Sequence, residues 1–371
     1  MNYDTNQASQ KSVAPDWFNR LANIKLAIAS HKIILQNLYD YGLKLREFAL
    51  SGCIVTIQAP PAFLAKARHL SEELIGRYKD IRRPYGAFVI PQQNEKEYVP
   101  FLSNEIRLTF PAKLSDPFIM QQANKVSCDN PSTISNFTLQ PSVSSSLTFD
   151  LKEFSFETPL FSLIIHIICE FFEFHPPKSP EDLALIFSES ASVDLLHAND
   201  GKFLDKFEEI KSLVVSQISQ SGLIVLAGNG GSACDAEEFI FNARSAGALS
   251  VLPFADSGAL TCIANDWSFK EVFTRQVEAA ALARDLQAPR CLFIAISTSG
   301  NSPNLLSAVN KAEEHGVLTV FLGGGAGGAL LGRSNYSIIA SHKSSNRIQE
   351  SHSALLSLII LYLKTQKFLN K

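Results

Sequence analysis

Residues 222–235, Gly-Leu-Ile-Val-Leu-Ala-Gly-Asn-Gly-Gly-Ser-Ala-Cys-Asp, constrain this chain more than any other stretch. The apolar run Leu223 to Ala227 is too short for a helix and fits a strand buried on both faces, as in a parallel sheet. It breaks at Gly228-Asn229-Gly230-Gly231-Ser232, where glycine opens backbone angles closed to other residues. From Ala233 the pattern is helical. A strand, a glycine turn and a helix N-terminus bring free N–H groups and a positive dipole end to one point, which suits an anion, most often phosphate. Cys291 to Ile296 reads as a second buried strand, followed by Ser297-Thr298-Ser299-Gly300-Asn301-Ser302 and a helix from about Pro303. One such cluster can be a plain βα loop. Two at the carboxyl ends of parallel strands lie on the edge where open α/β sheets bind ligands.

The chain has 371 residues, enough for two ordinary domains. Its net charge of −3 gives no basic surface for nucleic acid and no polybasic membrane patch. The six cysteines are scattered without a CxxC pair, as in a reducing compartment. The N-terminus lacks an apolar signal core, and the greasiest run, Leu160 to Phe172, is too short to span a bilayer. A cytoplasmic location is expected.

The two halves repeat one order: two helices, a glycine, a buried strand, a loop and a helix. Helical patterns at 15–30 and 32–50, then strand 52–59 and a helix to about 79, correspond to helices 181–197 and 202–220 and the strand after Gly222. Aligning Ser51–Arg83 with the second half sets Ala59 against Gly228 and Phe63 against Ser232, an offset of 169. Near the ends the offset becomes 191, setting His166 against Ser357. Residues 91–150 are weakly patterned and read as a decayed sheet region. Phe174 to Pro180 is the expected linker.

The motifs GNGGSACDAE, IANDWSF, RQVEA, ISTSGNSPN and RIQESH occur in this order, and residues 200–365 resemble the phosphoheptose isomerases of the SIS (sugar isomerase) family. The resemblance implies an α/β chain of two three-layer αβα SIS domains, 1–178 and 179–371, with flavodoxin-like parallel sheets, the first degenerate. It also implies isomerisation of sedoheptulose 7-phosphate to D-glycero-D-manno-heptose 7-phosphate, for a bacterial surface glycan. Such chemistry moves a proton between C1 and C2 through an enediol(ate), and needs an acid/base pair and a fixed phosphate.

Carried over residue by residue, the family roles split between the halves. The second half keeps Asn229, Gly230, Gly231, Ser232, Asp266, Ser297, Thr298, Ser299, Ser302 and Gln349 as implied substrate contacts. It lacks the His/Glu helix pair, replaced by Glu238 and Asn242, the arginine (Ala246) and the last-helix histidine (Ser357). The first half has lost its loop to Ala59-Pro60-Pro61-Ala62-Phe63, where proline has no N–H to donate, and has Thr158 at the glutamine position. Its Arg68 to Pro84 stretch keeps His69, Glu73 and Arg77, and its final helix keeps His166.

These losses complement each other, so one composite site is expected between the halves. In it Glu73 and His166 would transfer protons, Arg77 would contact substrate, and His69, Glu73, His166 and Gln349 would hold zinc. Glu73 and His166 cannot freely do both jobs. Plainer readings exist: a His/Glu pair at i, i+4 decorates many solvated helices, His166 could be a core histidine, Arg77 a surface cation, Asp266 a helix cap, and Glu238 with Asn242 a rearranged pair. The rival function is a non-catalytic sugar-phosphate-binding or assembly protein, like SIS relatives that associate with replication initiators. The implied partner is a phosphorylated seven-carbon sugar, with no nucleic acid or membrane. A homo-oligomer is expected, two chains supplying four SIS folds.

Overall fold

The computed structural model describes residues 13–76, 84–91, 105–109, 118–123, 134–139, 157–254, 256–282 and 291–365. Arg77 lies outside the described residues. The first half contains α1 (Val13–Ala29), α2 (Lys32–Leu50), β1 (Ile54–Ala59), α3 (Leu64–Ile75), β2 (Ala87–Pro91), β3 (Glu105–Thr109), β4 (Phe118–Ala123), β5 (Ile134–Leu139) and α4 (Glu157–Glu170). The second contains α5 (Pro180–Asn199), α6 (Gly201–Ser219), β6 (Ile224–Gly228), α7 (Gly231–Ser245), β7 (Val251–Pro253), α8 (Ser257–Asp266), α9 (Thr274–Leu282), β8 (Leu292–Ile296), α10 (Pro303–Glu314), β9 (Leu318–Gly324), β10 (Tyr336–Ala340) and α11 (Ser345–Thr365). No helix among the described residues is long and apolar enough to cross a membrane.

The helix starts follow from local chemistry. Pro180 opens α5, where its missing N–H costs nothing. The Asp182 carboxylate accepts from the N–H groups of Lys178 and Ser179 at 2.7 and 3.2 Å, closing the linker onto the helix. Asp200 caps α6 by accepting from Lys202 and Phe203.

The second sheet has the order β10-β9-β8-β6-β7, with every neighbouring pair parallel. Counted within its half, this is the flavodoxin-like order. The first sheet, β2-β1-β3-β4-β5, keeps the same order. There β1 is parallel to β2 and β3, but β4 runs antiparallel to both neighbours. This departs from the parallel sheet expected of the first half. Only residues 110–117 and 124–133 separate these strands, too few for the crossover helix that a parallel connection needs.

Both faces of the second sheet are covered. On β8, Leu292, Ile294 and Ile296 join one apolar core while Phe293 and Ala295 join another beneath α9 and α10, as expected of a strand that is apolar at successive positions. The first of these cores is shared between halves: Trp17, Phe18 and Phe161 belong to the same cluster as Ile294 and Leu355. Within it α1 lies along α5, α3 along α7, and α4 along α11.

At these contacts three pairs lie at the offsets by which the sequence aligns the two halves. Lys66 Nζ lies 3.2 Å from Asp235, at an offset of 169, and Arg68 reaches Glu237 at the same offset. Ser162 Oγ donates to Ser353 Oγ at 3.1 Å, at an offset of 191. Lys66 is fully buried and also pairs with Glu238 at 2.8 Å. Burial alone would lower its pKa, but the Glu238 and Asp235 carboxylates raise it above the usual lysine range, so it stays charged. Lys66→Met would leave two carboxylates buried without their cation. The expected loss is about 3–5 kcal/mol of stability, read as a lowered urea midpoint. An unchanged midpoint would remove Lys66 from the interface energetics.

Candidate active site

The site begins at the end of β6. Gly230 has φ of +54°, a conformation that disfavours a side chain. Gly231 is required for a different reason: a Cβ there would lie 2.2 Å from Gln349 Nε2 and 2.6 Å from His69 Nε2. Three separate elements therefore converge on one backbone: the α7 N-terminus, the start of α11 and the middle of α3. Asn229 exchanges two amide hydrogen bonds with Asn304, at 3.0 and 2.8 Å, tying the glycine turn to the start of α10. The serine loop is held from within. Gly300 N–H donates to Ser297 Oγ at 3.1 Å, Ser297 and Ser302 hydroxyls lie 3.4 Å apart, and Asn301 N–H donates to Ser299 Oγ. Ser232 and Ser297 are buried, Thr298 and Ser302 half-buried, and Ser299 exposed.

The first half contributes His69, Glu72 and Glu73 from α3. His69 is fully buried, and neither ring nitrogen makes a hydrogen bond. Its Nε2 lies 3.6 Å from Glu73 Oε1, and burial lowers its pKa, so the ring is neutral. The His69 and His166 rings meet edge to face, 5.3 Å between centroids. His166, from α4, faces two second-half residues: Nδ1 is 2.7 Å from Glu350 Oε1 and Nε2 is 3.2 Å from Gln349 Oε1. Burial alone would raise the Glu350 pKa, but Arg347, His166 and Lys25 pull it down to about 2. Glu72 goes the other way, pushed up to about 8 by burial and by Glu73, Asp235 and Glu237. Its carboxylate faces Gly230, 3.5 Å from where a Cβ would stand.

Ligand atoms of His69, Glu72 and Glu73 lie within 4.8 Å of one another, close enough to share a metal ion. The donor set fits a divalent cation: a neutral buried imidazole with both nitrogens lacking a hydrogen bond, beside carboxylates.

Of the expected residues, His69, Glu73, His166, Gly231 and Gln349 lie together, and Asn229 joins the glycine turn to the helix after the serine loop. Asp266 ends α8 and is exposed, accepting from Cys262 Sγ and Asn265 Nδ2. Pro61–Phe63 is a short 3-10 turn, Phe63 packs on Phe161 at 4.5 Å between ring centroids, and Glu238 pairs with Lys66.

Glu72 and Glu350 were not anticipated. Glu72 had a signal, since it is three residues after His69 on the same helical face. Glu350 sits in the RIQE segment but meets His166 across 184 positions, a contact no local pattern encodes.

The doubly wound sheet with a glycine turn after its first strand and a serine loop after its third defines a SIS-domain protein, and the SIS domain model matches residues 189–324. The phosphoheptose isomerase of Fusobacterium nucleatum is 37% identical over 187 residues, covering 47% of this chain and 91% of that protein. That of a Helicobacter pylori strain is 37% identical over 153 residues, covering 40% and 77% respectively. A Clostridium novyi structure assigned as a tagatose-6-phosphate ketose/aldose isomerase covers 95% of this chain with a TM-score of 0.53; at 9% identity it shows the fold alone. The chain belongs to the phosphoheptose isomerase family.

Proposed function

We propose that this chain isomerises sedoheptulose 7-phosphate to D-glycero-D-manno-heptose 7-phosphate in the cytoplasm, feeding bacterial heptose into a surface glycan. It is read as two fused SIS units, 1–178 and 179–371, with one composite site per chain. The observation that carries the reading is the meeting of first-half His69 and His166 with second-half Gly231 and Gln349. The Gly230–Ser232 turn and the serines of 297–302 hold the phosphate through N–H and hydroxyl donors, with Arg77 and Asp266 as further substrate contacts. With the phosphate fixed, Glu73 and His166 act as the acid/base pair that takes a proton from C1 and returns one to C2. His69, Glu73, His166 and Gln349 would hold zinc, which when bound polarises the carbonyl oxygen. His69 and His166 are both fully buried there.

Two chains would assemble into four SIS folds, which a solution mass measurement tests. Turnover of sedoheptulose 7-phosphate by the whole chain with zinc supplied tests the reaction. Asn242→Glu should leave the rate nearly unchanged, because Ser357 stands where a last-helix histidine would be needed to complete a site there. Tight binding without turnover would favour a sugar-phosphate-binding protein instead.

A further inference from the structure

The Glu350 carboxylate is a buried ionic group in contact with His166 that the reaction above does not use. It is 2% exposed and accepts from three directions. Ser190 Oγ donates to Oε2 at 2.6 Å, Arg347 lies 3.0 Å from Oε2, and His166 Nδ1 meets Oε1 at 2.7 Å. Ser190 is on α5 and Arg347 on the first turn of α11, so the carboxylate is anchored from two helices of the second half. The imidazole it meets belongs to the first.

We propose that Glu350 is the positioning residue of His166: it holds the ring in the Nδ1–H tautomer and aims Nε2 at the space shared with Gln349, His69 and Gly231. A carboxylate can only accept, so a 2.7 Å contact requires the hydrogen on Nδ1. In the neutral ring Nε2 then carries the lone pair. At 3.2 Å from Gln349 Oε1 it faces a second acceptor. A shared cation or a proton between the two atoms would bridge them. Glu350 thus makes Nε2 the basic atom and points it at the reacting face, as carboxylates behind metal-binding or proton-carrying histidines do. This role rests on the function proposed above, but the tautomer can be measured without it.

The test is ¹⁵N long-range correlation spectroscopy on histidine-labelled full-length chain, with His166 assigned by loss of its signal in His166→Gln. Nδ1–H is expected in the wild type. Glu350→Gln offers an amide N–H to Nδ1 and should switch the ring to Nε2–H, lowering kcat by about 10–100-fold with KM unchanged. Glu350→Asp should keep Nδ1–H and recover part of kcat. Ser190→Ala, which removes a donor from the far oxygen only, should leave the tautomer unaltered. An Nε2–H ring in the wild type overturns the proposal, as does a Glu350→Gln variant with wild-type tautomer and kcat. Should Glu350→Gln not fold, the wild-type spectrum decides alone. A chain that shows the Nδ1–H ring but no isomerase activity would remove the proposed reaction and leave this assignment standing.

Discussion

Glu73→Gln is expected to lower kcat for sedoheptulose 7-phosphate by about 10²–10⁴-fold while leaving the melting temperature close to wild type. The side chain sits at the rim of the site, 12% exposed, so an isosteric amide removes little packing. What it removes is the basic oxygen that faces His69 at 3.6 Å. The neighbouring carboxyl is a poor substitute: burial, the largest cause that pushes the Glu72 pKa up to about 8 in the wild type, remains in the variant. A coupled assay for the aldose product with a parallel thermal melt distinguishes lost chemistry from lost folding. A folded variant with wild-type kcat would take Glu73 out of proton transfer.

Gly231→Ala separates the site from the fold even more sharply. The added methyl would stand 2.2 Å from Gln349 Nε2 and 2.6 Å from His69 Nε2. Those are side-chain ends; the Gln349 amide can swing away, so the chain should still fold with a single cooperative transition. The swing breaks the His166 contact and pushes His69 out of line. Displacement of reacting groups by about 1 Å costs on the order of 10²-fold in rate, and zinc affinity measured by competition with a chelator should fall in parallel. An active Gly231→Ala enzyme with unchanged metal affinity would mean that the cluster around Gly231 is not where the reaction occurs.

The second half was largely legible in the sequence because its signals are local. Leu223 to Ala227 and Leu292 to Ile296 are apolar at successive positions because both faces of their sheet are covered, and the glycine and serine turns follow immediately. The first half was less so. Its strands after β3 turn antiparallel on short connections, in a stretch whose polar residues carry no clear period. Glu238 also read ambiguously: as a helix residue it could join Asn242 in a second site, until packing placed Lys66 against it at 2.8 Å.

By itself the sequence determined the strand and helix order, the family, and which residue types each half retained, because these depend on residues within a turn or two of one another. Only the tertiary structure decided that His69 and His166 face Gly231, Gln349 and Glu350. Those contacts span well over a hundred positions and arise from α3 lying on α7 and α4 on α11. The burial of a shared apolar core brings those helices together, and that force has no address in any local stretch of the chain.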